Sequence, residues 1–114
     1  MSHLWCVKTR FHTRVLNYSK LTGADLRGAN LTDAGLRYTC LRGAKLTGAH
    51  LRGVDLSFAD LTRADLTDAD LSFAKLTDAD LTDTNLTGAN LTYANLTDAD
   101  LTDADLTGTV GYER

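Results

Sequence analysis

Acidic side chains are the groups in this chain best placed to do chemistry. The 114 residues include 15 Asp and Glu but only three His and two Cys. Carboxylates can act as general acids or bases or bind Ca²⁺ and Mg²⁺, and both uses need a cleft or ligands that converge from several directions. His3, His12 and His50 do not pair with Cys6 or Cys40 at zinc-ligand spacing. The sequence also lacks a nucleophile elbow, a P-loop and a dinucleotide fingerprint. It therefore predicts no enzymatic activity, no cofactor and no metal site.

The carboxylates lie in a strict five-residue repeat that decides how the chain can fold. Every fifth residue from Leu21 through Leu106 is Leu, eighteen in succession, and the residue two before each is small. Residues five apart point to opposite sides of a strand, and they lie about 140° apart on an α-helix. All the leucines can be buried only if the chain bends once in each repeat. The repeat therefore predicts a polygonal coil, with Leu and the small residue inside, three outward positions, and successive coils about 4.8 Å apart.

The repeat Ala-Asp/Asn-Leu-Thr/Ser/Arg-X, as in Ala24-Asp25-Leu26-Arg27-Gly28, resembles the pentapeptide-repeat family over about four-fifths of the chain. The resemblance implies an all-β, right-handed quadrilateral β-helix with four pentapeptides per coil, hence about five coils. We expect an irregular N-terminal cap over residues 1–15, the repeat over 16–109 and a short tail over 110–114.

With four repeats per coil, residues twenty apart should stack and form columns on the surface. Some columns are acidic, and two carboxylates about 4.8 Å apart in water repel by roughly 0.9 kcal/mol. Asp is also a good turn residue, so these columns admit a structural interpretation as well as a selected acidic surface. The candidate acidic surface comprises Asp60, Asp80, Asp100, Asp65, Asp105, Asp83 and Asp103.

Aromatic residues also fall into columns, Tyr38 with Phe58 and Phe73 with Tyr93. These four rings are a candidate interaction patch, or they stack only to stabilise neighbouring coils. A second candidate contact is the C-terminal end, where Leu101, Leu106 and Tyr112 would lie near an open edge and could join two chains end to end in a homodimer.

Charge is divided unevenly along the chain. Residues 1–60 contain nine Lys and Arg against four Asp, whereas residues 61–114 contain three against eleven Asp and Glu. The early arginines should fall on different sides, so we expect solvated side chains and no direct nucleic-acid binding. No apolar run is long enough for a membrane span. Two cysteines favour free thiols and a cytoplasmic location.

These observations favour a non-enzymatic β-helix that serves as a rigid protein-interaction scaffold, with the partner unknown. The family resemblance implies an alternative, because some members mimic duplex DNA in width and charge and bind DNA gyrase or topoisomerase, protecting it from quinolones. The acidic second half of the chain fits that alternative, and the basic first half does not.

Overall fold

The structure, a computed structural model, describes residues 15–112. These residues form no helix and no extended strand, and single-residue parallel β-bridges join one coil to the next. Each bridge pairs residues twenty apart, from Val15 with Gly35 to Asn90 with Val110. Twenty residues are four pentapeptides, so each coil has four sides. The expected cap and Cys6 lie outside the described residues, apart from Val15 at the end of the cap.

Backbone hydrogen bonds hold the coils together along the whole stack. The central Leu of a repeat donates its N–H to a carbonyl nineteen residues later, as from Leu26 to Lys45 at 2.8 Å. The residue before the central Leu donates to a carbonyl twenty-one residues earlier, as from Lys45 to Ala24 at 2.9 Å. Because every side of the rod repeats this pattern, the stack is a continuous parallel β-structure.

A tight turn at the end of each repeat makes the corner. The N–H of Ala24 donates to the carbonyl of Leu21 at 3.0 Å, and later repeats do the same. The residue two after the central Leu, here called the corner residue, has φ between 58° and 71°. A positive φ at the second central position is the mark of a type II turn. Many corner residues are glycine, but others are Asp, aromatic or Arg.

The interior of the rod is filled by the central leucines and by the small residues two positions before them. Where Thr replaces Ala, its hydroxyl is satisfied inside: Thr84 donates to the carbonyl of Leu61 at 2.8 Å. Along the last described coil, Leu96, Leu101 and Leu106 are only partly buried, because no further described coil covers them.

The expectation of three solvent-facing positions in each repeat is wrong for some residues that follow the central Leu. Ser57, Thr62 and Ser72 are buried. Each lies one coil after an arginine in the same column, namely Arg37, Arg42 and Arg52. The guanidinium of Arg52 donates to the Ser72 hydroxyl at 3.2 Å, and that of Arg42 reaches Asp60 at 3.2 Å. These arginines therefore reach the next coil, while the side chains of Arg37 and Arg42 remain 42% and 43% exposed.

The described part of the chain measures 35 × 21 × 20 Å. Within it there is no helix of the length and apolar character that crossing a membrane requires.

Candidate interaction face

Exposed hydrophobic side chains are concentrated on one side of the rod. We call this side the aromatic face; its outward column is Val15, Gly35, Asp55, Lys75 and Asn95. Seven large hydrophobic side chains are exposed among the described residues. Six of them lie on the aromatic face or at its two corners, and Val110 is the exception. These six are Val15, Tyr18, Tyr38, Phe58, Phe73 and Tyr93.

One corner of the aromatic face holds three stacked rings. The centroids of Tyr18 and Tyr38 are 5.0 Å apart and those of Tyr38 and Phe58 4.8 Å apart, with interplanar angles of 1° and 5°. The candidate patch drawn from the sequence omitted Tyr18. Its position twenty residues before Tyr38 was the signal that could have identified it. Val15, 73% exposed, was also missed, because it fell at the end of the expected cap.

The other corner holds two rings. Phe73 and Tyr93 have centroids 5.2 Å apart and are tilted by 31°. The guanidinium carbon of Arg52 lies 4.4 Å from the Phe73 centroid, and that of Arg37 lies 5.6 Å from the Phe58 centroid. Both distances are within the range of cation–π attraction. Each group of rings is thus held by stacking and by an arginine.

The five rings all occupy corner positions with φ between 60° and 66°. A bulky residue at positive φ is strained, and glycine would relieve that strain. Ring stacking contributes about 0.5–1.5 kcal/mol per pair and offsets the backbone strain, which is of similar size. Because the corner points the side chain away from the core, the rings stand at the edges of the face, where Tyr18 and Tyr93 are 71% and 78% exposed.

The candidate acidic surface divides into two kinds of residue. Asp60, Asp65, Asp80, Asp100 and Asp105 precede a central Leu, and each carboxylate accepts the backbone N–H two residues later at 3.0 Å. In four of them the Thr hydroxyl also donates, as from Thr62 to Asp60 at 2.6 Å. These carboxylates form Asx turns that shape the corner. Asp83 and Asp103 are instead corner residues with φ of 58°.

The turn hydrogen bonds lower several carboxyl pKa values. The hydroxyl of Thr67 is the main cause of the lowered pKa of Asp65, and the hydroxyl of Thr102 has the same effect on the pKa of Asp100. Partial burial opposes ionisation of Asp60, but hydrogen bonds from Thr62 and Arg42 outweigh it and the pKa of Asp60 lies below its ordinary value. Hydrogen bonds from Arg27 lower the pKa of Asp25 to about 2.

A second side of the rod, adjacent to the aromatic face, is acidic. It carries corner residues and Asx-turn residues of the last two described coils, and we call it the acidic face. The side shares one corner with the aromatic face, because Asp78 and Asp98 continue the column of Tyr18, Tyr38 and Phe58. Its residues are Asp78, Asp80, Asp83, Asp98, Asp100 and Asp103.

Within residues 15–112 no group of three or more His, Cys, Asp or Glu side chains is arranged to hold a metal ion. The Cys40 thiol is free and lies 3.2 Å from the Thr22 hydroxyl. A recess of about 820 Å³ lies open at the end of the described stack. Leu101 and Tyr112, two of the residues expected at an end contact, line this recess, and Leu106 packs nearby against the core.

Comparison with known proteins gives a match to the family Pentapeptide repeats, in eight copies over residues 15–48, 44–83 and 69–108. No protein with a curated description matches the chain. Among solved structures, Rfr23, a pentapeptide repeat protein from the cyanobacterium Cyanothece 51142, is 39% identical with a TM-score of 0.78. The alignment covers 80% of this chain and 63% of that one.

A pentapeptide repeat protein from the thylakoid lumen of Arabidopsis thaliana is 33% identical with a TM-score of 0.55, over 87% of this chain and 66% of that one. This chain therefore spans somewhat under two thirds of the length of each relative. QnrB1, a plasmid-mediated fluoroquinolone resistance protein, is 19% identical over 94% of this chain and 69% of that one, and its TM-score of 0.43 carries no functional information. The right-handed quadrilateral β-helix implied by the family resemblance is confirmed.

Proposed function

We propose, from the premise that this chain belongs to the pentapeptide repeat family, that it is a rigid, non-enzymatic scaffold that binds a protein partner through its aromatic face. One observation carries the proposal: six of the seven exposed large hydrophobic side chains of the described residues lie on that face or its corners. Single exposed hydrophobic residues are ordinary, but a group of them on one side marks a binding surface.

The geometry of the face suits protein binding. Aromatic and arginine side chains are enriched at the energetic centres of protein interfaces, and this face combines five rings with Arg37 and Arg52. Stacking between coils already fixes the rings, so little side-chain entropy would be lost when a partner binds them. The backbone bonds of every coil hold the face rigid.

Site-specific photo-crosslinking in cells of the source organism tests this proposal. A benzophenone side chain at Tyr38 should give a discrete cross-linked protein band. The matched control places the same group at Gly48, a corner residue away from the aromatic face where a Cβ meets no atom within 4 Å. Equal cross-linking from both positions, or none from Tyr38, would count against the aromatic face as the binding surface.

Mimicry of DNA remains a second candidate, and the acidic face is the observation that favours it. Six carboxylates lie on or beside one side of the last two described coils. A supercoiling assay with purified DNA gyrase, with and without a quinolone, tests this function. Inhibition or protection that is lost when Asp78, Asp80, Asp98 and Asp100 are changed to Asn would support it. The absence of any effect at a high molar excess of this chain over gyrase would contradict DNA mimicry.

End-to-end pairing through Leu101, Leu106 and Tyr112 also stays a prediction. Leu101 and Leu106 are partly exposed, and the N–H groups of both lack a backbone acceptor within the described residues. A dimer built this way should be lost in Leu106→Arg, which light scattering would show. The cytoplasmic location and the lack of nucleic-acid binding likewise remain predictions from the sequence.

A further inference from the structure

One corner of the aromatic face carries a column of residues whose order makes it complementary to a second copy of itself that runs in the opposite direction. Its members are twenty residues apart and lie on successive coils: Tyr18, Tyr38, Phe58, Asp78 and Asp98. If a second copy of the column is laid against the first in the opposite direction, each Tyr meets an Asp and Phe58 meets itself. The phenol O–H of Tyr is a donor and the carboxylate an acceptor, whereas Phe needs neither. The single residue that meets its own copy is the ring without a polar group.

We propose that the partner of the aromatic face is a second copy of this chain, packed side by side and antiparallel, with the two-fold axis beside Phe58. The proposal rests on the proposed function and names its partner. In this arrangement the hydroxyl of Tyr38 donates to Asp78 of the second copy and that of Tyr18 to its Asp98. The two Phe58 rings pack on each other at the axis.

The rest of the aromatic face agrees with the same symmetry. When the second copy is reversed about the level of Phe58, Lys75 lies between its Gly35 and Asp55. The exposed ammonium group of Lys75 then meets the Asp55 carboxylate, and Gly35 has no side chain to obstruct the contact. At the other corner, reversal places Phe73 midway between Asp33 and Gly53 of the second copy, and the glycine leaves room for its ring. A two-fold axis makes each of these contacts occur twice, so the assembly is a closed dimer and does not extend into a filament.

Charge selects the antiparallel pair over a parallel one. Described residues 15–60 carry six Lys and Arg against four Asp, whereas residues 61–112 carry two against ten. A parallel pair would place the two acidic halves side by side, and like charges at an interface are strongly unfavourable. The antiparallel pair places each acidic half against a basic one, and it brings Lys20 towards Asp98 of the second copy.

Molecular mass in solution gives the first test. The purified full chain should approach twice its 12.4 kDa mass in sedimentation or light scattering as its concentration rises. Phe58→Asp places two carboxylates together at the axis and should weaken the pair by more than about tenfold. Gly48→Asp makes the same charge change at a corner away from the face and should leave the mass unchanged. Melting curves of both variants verify that they fold.

A residue exchange tests the pairing of Tyr38 with Asp78. Tyr38→Asp alone sets carboxylate against carboxylate and should weaken the dimer. The double variant Tyr38→Asp, Asp78→Tyr restores one donor and one acceptor across the axis and should restore the dimer. The tyrosine introduced at position 78 can stack on Phe58, so melting curves of both variants are needed to separate a recovered fold from a recovered dimer. A double variant that associates no better than Tyr38→Asp would contradict the proposed register.

Disulfide cross-linking tests the antiparallel geometry of the dimer. With Cys6 and Cys40 changed to Ser, Phe58→Cys should form a disulfide-linked dimer under mild oxidation, and Gly48→Cys should not. A parallel pair would place residue 58 near Gly53 and give no such bond. The proposal is overturned by a strict monomer at all concentrations, or by a dimer that Leu106→Arg abolishes and Phe58→Asp leaves intact. A strict monomer whose Tyr38 cross-links another protein in cells would still leave the proposed scaffold function standing.

Discussion

Arg52 spans from one coil to the next and covers the ring of Phe73, with its guanidinium carbon 4.4 Å from the ring centroid. The same guanidinium donates to the hydroxyl of Ser72, which is only 3% exposed. Arg37 and Arg42 make similar contacts with the coil that follows, reaching Asp55 at 3.5 Å and Asp60 at 3.2 Å. These three arginines therefore join neighbouring coils through side chains, in addition to the backbone ladder.

Removing this contact should measurably weaken the stack. Arg52→Ala loses a partly exposed cation–π contact and uncovers Ser72, so we expect a loss of about 1 kcal/mol in the free energy of unfolding. Arg27→Ala is the control, because Arg27 pairs within its own repeat, with Asp25 at 2.7 Å, and should cost less. Chemical denaturation of both variants decides the matter. Equal losses would mean that contacts between coils add nothing beyond a local ion pair.

Core positions should tolerate neither charge nor extra volume. Leu66 is fully buried and Ala69 is 1% exposed. Leu66→Asp buries an unpaired carboxylate and should unfold the chain. Ala69→Leu should overpack the interior, at a cost of about 1–3 kcal/mol. Asp68→Asn, at a corner with φ of 58°, should have little effect. Circular dichroism melts that put all three variants at the same temperature would mean that inward and outward positions were assigned wrongly.

The five-residue repeat was sufficient to predict that the central Leu and the small residue two before it lie inside, but not that Ser57, Thr62 and Ser72 are buried as well. The column of Tyr38 and Phe58 followed from the number of repeats per coil. The contacts of Arg37, Arg42 and Arg52 did not follow, because a long side chain can extend into solvent or lie against the next coil, and the repeat does not distinguish these choices. The turn role of Asp60 and the corner role of Asp83 also depended on φ and hydrogen bonds that only coordinates supply.

Glycine at a corner should matter even where there is space for a side chain. Gly28 has φ of 67°, and an added Cβ would meet no atom within 4 Å. Gly28→Ala should therefore lower the free energy of unfolding through backbone strain alone, by about 1 kcal/mol. Gly111, which follows the last repeat and is not a corner residue, has φ of 79°, and Gly111→Ala should be worse because the added Cβ would lie 2.5 Å from the Cα of Thr92. A neutral Gly28→Ala in chemical denaturation would show that these corners carry no strain.

The Asx turns should make the fold sensitive to acid. The pKa values of Asp65, Asp100 and Asp105 are lowered chiefly by hydroxyls of Thr67, Thr102 and Thr107. A carboxylate whose pKa is lower in the folded state stabilises the fold above its ordinary pKa of 3.8 and loses that effect as pH falls through the lowered value. The melting temperature should therefore change little between about pH 7 and 5 and fall between about pH 4 and 2.

A substitution that keeps the turn but removes the charge isolates this effect. Asn accepts the same bonds, as Asn90 does from the N–H and hydroxyl of Thr92 at 3.0 and 2.6 Å. Asp65→Asn should therefore fold at pH 7 and lose less stability than the unaltered chain between about pH 5 and 2. Asp103→Asn removes the same charge at a corner, where the carboxylate accepts no hydrogen bond within the described residues, and should not reduce the acid-induced loss. If both variants melt in parallel with the unaltered chain across this range, the turn carboxylates are not the source of its acid sensitivity.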